Sequence, residues 1–540
     1  MAKYRFDNFG VMIDCSRNAV MSVEGLKNYF TILKKMGYNC AMLYTEDTYE
    51  VDGEPYFGYM RGRYSKEEMK EIDAFAASLG IEVIPCIQTL AHLNATLRWK
   101  QFPVDCDDIM LADDERCYEL IDHMFASLSE CFRSRKLHIG MDEAHMLGRG
   151  KHLDIHGYET VDVIMKRHLA RVCEIAKKYN YEPMMWSDMF FRPWNNGKYS
   201  IPKTTVPKEY IEALPESVIP VYWDYYRETE KEYSDMMENH KQLSKKTWFA
   251  GGAWSWMGFA PFNEFTIKSM LPAIDACKKN KIRNVFMTMW GDNGGECSHF
   301  AQLPSLFYIA QYAKGITDEA VIKAKFKRLT GIEYDDFMKL DNANNITGNE
   351  QDGHPKCPSK YMLYADCFNN FMDTAAKSGA GVKYETYAKE LHAIAKKSRK
   401  YGYLFDTQAK LCDVLAIKYE LGIKTRKAYQ AGDKAEILRL AEEDYAKAIK
   451  LVDVFGRAFE KQWFCENKTN GFDVQDIRLG GLLRRLGACR RRLIDYAKGN
   501  IDRIEELEGE LLPARPDKTM EIGNSVNFNS YSKSATANIL

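Results

Sequence analysis

Eight short β-rich runs alternate with amphipathic helical stretches over the first 315 or so residues. No other feature constrains the fold as strongly. The runs are Gly10–Asp14, Asn39–Tyr44, Glu82–Ile87, Lys136–Gly140, Pro183–Ser187, Val218–Trp223, Thr247–Gly251 and Val285–Met289. Between them lie helical patterns such as Ser22–Met36, Lys66–Leu79, Cys117–Phe132 and Val161–Tyr179, with Gly37 and Gly80 placed to end two of them. Eight strands, each followed by a helix, predict a closed parallel (β/α)8 TIM barrel. An open doubly wound sheet is the alternative, but the Gly-rich phosphate loop that such sheets often carry after strand one is absent.

Beyond about residue 320 the strand signals fade and helical periodicity takes over, in Cys367–Ala376, Tyr384–Tyr401, Thr407–Tyr429, Ala435–Phe459 and Leu479–Tyr496. A polar stretch, Asp341–Lys360, separates the early helices. The expected organisation is an α/β barrel over residues 1–315, an all-α domain over 316–515 and a tail over 516–540. The polar Asn524–Asn538 reads as loose. Trp463–Gly481 interrupts the helical run with aromatic, polar and Gly residues; it reads as a helix–helix connection or as a loop lining a pocket or subunit contact.

Charge narrows the function. Lys+Arg is 75 and Asp+Glu is 76, which offers no electrostatic footprint for nucleic acid or an anionic membrane. The basic stretch Arg484–Arg492 is interleaved with Leu486 and Leu493 at helical spacing, as expected of a solvated or salt-bridged helix face. No apolar run of membrane-spanning length occurs, and Met1–Phe6 contains no secretory apolar core. Fourteen scattered cysteines without a Cys-x-x-Cys pair point to reduced thiols and a cytoplasmic protein. No cofactor or structural metal is called for, and a homodimer is left open.

In a barrel the C-terminal ends of the strands ring one site. Here they end, in order, on Asp14–Arg17, on Glu46 and Asp47, on Gln88 and His92, on Asp142-Glu143, on Trp186-Ser187-Asp188, on Tyr222-Trp223-Asp224, on Trp254 and Trp256, and on Trp290-Gly291-Asp292. Of the chain's nine tryptophans, five lie there. Any one Trp serves packing well, but an aromatic ring studded with carboxylates suits a sugar, stacking on its C–H faces and bonding its hydroxyls. Asp142 and Glu143 are adjacent acids whose repulsion pushes their pKa values apart, which can keep one a proton donor and the other an anion. Adjacent residues on a strand face opposite ways, so both serve one site only if the backbone turns sharply there.

His138-Ile139-Gly140-Met141-Asp142-Glu143 resembles the His-x-Gly-x-Asp-Glu signature of glycoside hydrolase family 20, the β-N-acetylhexosaminidases. Val11–Arg17 is similar to that family's first strand, and Trp290-Gly291-Asp292 to its eighth-strand Trp-x-acid element. The resemblance covers roughly residues 8–315. It implies an exo-acting, retaining hydrolase that removes terminal β-linked N-acetylhexosamine from an oligosaccharide or glycoconjugate. The substrate's own acetamido oxygen would then be the nucleophile, an exception to the usual two-carboxylate scheme. By this resemblance Glu143 is the general acid and base, and Asp142 orients the acetamide. Arg17 and Asp292 hold ring hydroxyls. Trp186, Trp223, Trp254 and Trp290 cage the acetamido methyl, and His92 supports the acid. The family often places a Tyr-x-Asp pair at strand seven; Tyr222-Trp223-Asp224 falls on the sixth run, leaving Asp224 a candidate and Tyr222 a weaker one. Many members also carry a small α/β domain ahead of the barrel, whereas this chain opens on strand one.

Rival readings have specific failings. Asp142-Glu143-Ala144-His145 spells a helicase box, but no P-loop accompanies it. His145, His152 and His156 lie near the acids at spacings that match no zinc pattern, and read as solvated loop histidines. A non-catalytic sugar-binding barrel would have no need of Glu143. Another barrel glycosidase with a carboxylate nucleophile stays open.

Overall fold

The computed structural model describes residues 4–348, 354–512 and 530–540. Eight strands form a closed barrel in chain order: β1 (Asn8–Asp14), β2 (Cys40–Tyr44), β3 (Glu82–Cys86), β4 (Lys136–His138), β5 (Glu182–Trp186), β6 (Ile219–Trp223), β7 (Trp248–Gly252) and β8 (Asn284–Met289). All pairings are parallel, and β8 closes on β1 with Asn8 opposite Asn284 and Ile13 opposite Met289. The strands are apolar runs because both faces are covered, one by the barrel interior and one by helices; β2 and β7 are buried at every residue. The predicted runs coincide with these strands to within a residue or two.

The crossover helices start and stop where local chemistry dictates. Val23–Met36 is capped by Ser22, whose hydroxyl accepts the Gly25 N–H at 3.0 Å, and ends on Gly37 in the left-handed region. Lys66–Ser78 opens with a reciprocal capping box between Ser65 and Glu68. A two-stranded hairpin, Val104–Cys106 with Ile109–Met110, was not foreseen, since strands of two or three residues are too short to show alternation.

The chain divides into two compact units. The first contains Met1–Ala253, Thr266–Met289 and Leu306–Thr317; the second contains Trp254–Phe265, Trp290–Ser305 and Asp318–Leu540. The segments that follow β7 and β8 thus belong with the helical region, not with the expected residues 1–315. Their bonds show why. Asn263 donates to Asp341 at 2.9 Å, and Gln408 donates to the Phe259 carbonyl at 2.6 Å. Lys360, fully buried within the polar stretch, pairs with Glu296 at 2.6 Å, and Arg478 meets the other Glu296 oxygen at 3.0 Å.

The helical unit departs from expectation in places. Cys367–Ala376 is not an α-helix; only Asp373–Ala375 forms a helical turn. Asp366 accepts the N–H groups of Phe368 and Asn369, and Asn370 accepts that of Met372, so side chains take bonds a helix would need. The expected Thr407–Tyr429 helix is two, Gly402–Lys418 and Leu421–Gln430. Trp463–Gly481 is mostly helical. Ala446–Glu466 and Phe472–Lys498 flank a connection of residues 467–471, closed by a Trp463 indole bond to the Lys468 carbonyl. The basic face is salt-bridged, Arg485 to Asp366 and Arg492 to Glu506. Of the expected tail, 516–529 lie outside the described residues. Tyr531–Ala535 is not loose: it is a short helix whose Tyr531 N–H bonds Asn293 at 2.9 Å. No described helix is long and apolar enough to cross a membrane.

Candidate active site

The site is built where β4 ends. After His138 the chain enters the left-handed region repeatedly, with φ of +73° at Gly140, +69° at Met141 and +53° at Glu143. Strand alternation is lost over these residues, which meets the condition for both acids to face one side. Position 140 must be glycine, since a Cβ there would lie 2.0 Å from Gln88 Oε1 and 2.7 Å from the Ile87 carbonyl. The Gln88 side chain fills that space. Its Oε1 accepts the Met141 N–H at 3.0 Å, and its Nε2 donates to Asp142 Oδ1 at 2.7 Å and to the Tyr44 hydroxyl at 2.9 Å. Gly140→Ala is expected to lower kcat/KM by about 100-fold through displacement of the two acids; steady-state kinetics together with a thermal melt check this, and a near-native rate would show that the turn tolerates a side chain.

His92, itself at φ +57°, brings the acids together. Its Nε2 lies 3.4 Å from Asp142 Oδ2 and 3.8 Å from Glu143 Oε2. Burial opposes charge on this imidazole, but Asp142 and Glu46 outweigh it and raise the pKa to about 9. Burial likewise works against the buried Asp142 anion, yet the imidazolium and the Gln88 amide hold its carboxyl down at about 2. Glu143 shifts the other way. Burial, then the charges of Asp142 and Asp188, raise it above the ordinary glutamate value, against His92 and Arg192. Asp188, fully buried, accepts the Glu143 N–H at 3.1 Å and Arg192 Nε at 2.9 Å. Arg192 Nη2 reaches Glu143 Oε1 at 3.4 Å. The Trp223 indole points at Asp188 Oδ1 at 3.5 Å, and the Arg192 guanidinium lies 5.9 Å from the Trp223 ring centroid.

A second wall comes from β1 and β2. Arg17 pairs with Asp14 at 3.1 Å and Glu46 at 3.2 Å, over the Tyr44 ring. The Tyr44 hydroxyl donates to Glu46 Oε1 at 2.9 Å and accepts from Gln88. A hydrogen-bonded and ion-paired chain therefore runs from Arg17 through Glu46, Tyr44 and Gln88 to Asp142, and ion-pair contacts through His92 at 3.4 and 3.8 Å carry it on to Glu143, Arg192, Asp188 and Trp223.

Other predicted residues lie apart from this chain. Trp186 is 1% exposed and packs on the His138 ring at 4.2 Å. Asp224 forms its own group, accepting from the Tyr222 hydroxyl at 3.1 Å and pairing with Arg227 at 3.4 Å. Tyr222 lies 4.6 Å from the ring of His240, on helix Glu230–Leu243, so its side chain packs against that helix; it sits in the sixth strand, and the strand count does not slip. Trp254, Trp290 and Asp292 belong to the second unit. There Trp254 stacks on Trp256 at 4.2 Å, and the Trp290 carbonyl accepts the Ser255 hydroxyl at 3.0 Å.

Sequence reasoning assigned no role to Gln88, Asp188, Glu46 or Arg192. The first three were visible as strand-end residues. Arg192 lies in a short helical turn, four residues past Asp188, and carried no signal. His152 is not a solvated loop residue: it is fully buried, 3.4 Å from Asp113 and 3.5 Å from Glu159. These three could hold a cation, but Arg167 already bridges the two carboxylates at 2.5 and 2.8 Å.

A closed parallel barrel with paired, oppositely shifted acids at its strand ends is the equipment of a glycoside hydrolase. Residues 6–232 match the model of the glycosyl hydrolase family 20 catalytic domain, and residues 335–527 that of the glycoside hydrolase 20C C-terminal domain. The two models together cover most of the chain, which belongs to glycoside hydrolase family 20. It is similar to hexosaminidase D of Bos taurus, 20% identical over 353 residues, spanning 60% of this chain and 94% of that protein. With hexosaminidase D of Homo sapiens it shares 26% identity over 222 residues, 39% of this chain and 43% of the relative. Among solved structures, the exo β-N-acetylglucosaminidase of Vibrio harveyi, in complex with N-acetylglucosamine, aligns with a TM-score of 0.45 and 14% identity. That alignment covers 62% of this chain and 59% of the Vibrio chain.

Proposed function

We propose that the protein is an exo-acting, retaining β-N-acetylhexosaminidase that removes terminal β-linked N-acetylhexosamine through an oxazolinium intermediate. The observation that carries this reading is the left-handed turn at 140–143, which brings Asp142 and Glu143 to one imidazole with opposite pKa shifts. Glu143, raised and half-exposed, donates its proton to the glycosidic oxygen as the bond to the leaving group breaks. The substrate's acetamido oxygen forms the new bond to the anomeric carbon. Asp142 stays an anion, accepts the acetamide N–H and stabilises the positive charge that spreads over the ring it helps form. Glu143 then takes a proton from water as that water opens the oxazolinium, restoring both acid and configuration. No cofactor enters these steps.

The pocket residues take matching roles. Arg17, fixed by Asp14 and Glu46, holds ring hydroxyls. His92 keeps Asp142 ionised and supports the acid. Trp223 and, at the end of its strand, Trp186 are assigned to the acetamide cage, with Asp224 as a further hydroxyl ligand. None of the 14 cysteines is in a disulfide, which fits a reducing, cytoplasmic setting.

A thiazoline mimic of the cyclic intermediate is the direct test. Competitive inhibition well below substrate KM is expected; failure to inhibit, with turnover intact, would favour a carboxylate nucleophile instead. The pH profile gives a second check. Activity requires Asp142 ionised and Glu143 protonated, so kcat/KM falls on the alkaline side as Glu143 loses its proton, at a pH above the ordinary glutamate range. Asp188 helps raise Glu143, so Asp188→Asn is expected to move that limb toward acid. A limb that stays put, or moves toward base, would remove Glu143 from the titration.

A further inference from the structure

Two loops that supply pocket residues also carry an exposed aromatic cluster. On the loop between β2 and helix Lys66–Ser78, Tyr56 is 46%, Tyr59 40% and Met60 75% exposed. From the loop after β3, Trp99 brings its ring to 5.2 Å from Tyr56 and 5.8 Å from Tyr59, and the two tyrosines are 5.9 Å apart. Single exposed apolar residues are ordinary, but three aromatics gathered from two loops form a contiguous apolar patch of the kind that binding sites use.

The cluster is held in place. Phe57 is buried beneath it, edge-on to Tyr49 at 5.1 Å. Gly58, at φ +64°, lies so close to the Asp47 carbonyl that a Cβ would sit 2.0 Å from it. Arg63 donates to the Phe57 carbonyl at 2.5 Å, and the Arg98 guanidinium stacks 5.0 Å from the Trp99 ring.

Both of its loops also lead into the acidic pocket. Arg61, next to Met60, donates to the Ser16 carbonyl at 2.5 Å and pairs with Asp47 at 3.0 Å. Ser16 adjoins Arg17, and Glu46, beside Asp47, pairs with Arg17. On the other loop, seven residues before Trp99, His92 approaches the carboxylate assigned to protonate the leaving group.

We propose that Tyr56, Tyr59, Met60 and Trp99 form a subsite for a pyranose ring on the leaving-group side of the scissile bond. This rests on the hydrolase reading above. The rings tilt at 50° to 68° to one another and present aromatic surface to the C–H face of a sugar, with the Arg98 guanidinium beside the Trp99 ring to meet hydroxyls.

The test compares the full-length enzyme with Trp99→Ala, Tyr56→Ala and Trp99→Phe on two substrates. One is the methyl β-N-acetylglucosaminide, which has no ring beyond the bond; the other is whichever β-linked N-acetylglucosamine trimer the wild type cleaves best. The alanine variants are expected to raise KM for the trimer about tenfold, with the methyl glycoside within about twofold and Trp99→Phe largely restoring the trimer. Equal loss on both substrates, or no change on either, overturns the subsite. If the wild type hydrolyses no β-N-acetylhexosaminide, the catalytic reading fails by itself. Calorimetric binding of the same trimers then decides the subsite, which falls if Trp99→Ala binds as the wild type does or if neither binds. Sedimentation covers the other occupant: a wild-type dimer that Trp99→Ala makes monomeric would make the cluster a contact between copies and overturn the proposal.

Discussion

Glu143→Gln is expected to abolish hydrolysis of substrates with poor leaving groups while the protein stays folded. The amide keeps the size of the carboxyl, and the backbone N–H that Asp188 accepts is untouched, so the turn survives. What is lost is the proton. General acid catalysis contributes about 10²–10⁴-fold, and the loss is largest where the departing alkoxide is most basic. A dinitrophenyl leaving group needs no protonation, so its first step should decline far less than that of a methyl glycoside. The measurement is kcat/KM on both substrates with a thermal melt as control. Near-wild-type turnover of the methyl glycoside would refute the role assigned to Glu143, and an equal loss on both substrates would mean that the variant damages the site rather than the proton transfer.

Asp142→Asn is expected to act on every substrate alike. In the role proposed for it the residue stabilises charge that develops between ground and transition state, so kcat and kcat/KM should fall together by about 10²–10³-fold or more with leaving group immaterial. A second readout follows from the geometry. Asp142 is the largest influence raising the His92 pKa to about 9, so its neutralisation should bring that value down, which an NMR titration of the imidazole follows. Loss of activity with an unmoved His92 would place Asp142 outside the pair. The stability sign also follows. The native Asp142 pKa lies below its unfolded value, so its contribution is present above the unfolded carboxylate range and fades as pH falls toward about 2. Asp142→Asn should flatten acid unfolding over that window.

These predictions concern a candidate site whose adjacent acids stand out in the sequence and whose supporting residues do not. The eight strands were readable because barrel strands are covered on both faces and form unbroken apolar runs. Asp142 and Glu143 stood out because two acids directly after such a run are conspicuous. Arg192 was invisible, because nothing in a short turn after β5 indicates that its guanidinium bridges Asp188 and Glu143. Gln88 read as one polar residue among several at a strand end; only its fit into the space that Gly140 leaves empty gives it a function. The Cys367–Ala376 helix failed for the converse reason, since apolar periodicity does not record that Asp366 and Asn370 compete for the backbone.

Periodicity, composition and strand-end residues, all local along the chain, were enough to determine the barrel and the helical region after it, and to single out two adjacent acids as candidates. Tertiary structure decided which way those acids face, because three left-handed residues in a row of four cancel the alternation that a strand imposes. It also decided that their pKa values shift in opposite directions, because burial and the charges of His92, Asp188 and Arg192 act through space from residues distant in the chain. The segments after β7 and β8 clustered with the helical unit for the same kind of reason, through buried partners such as Asp341, Lys360 and Gln408 that lie far along the sequence.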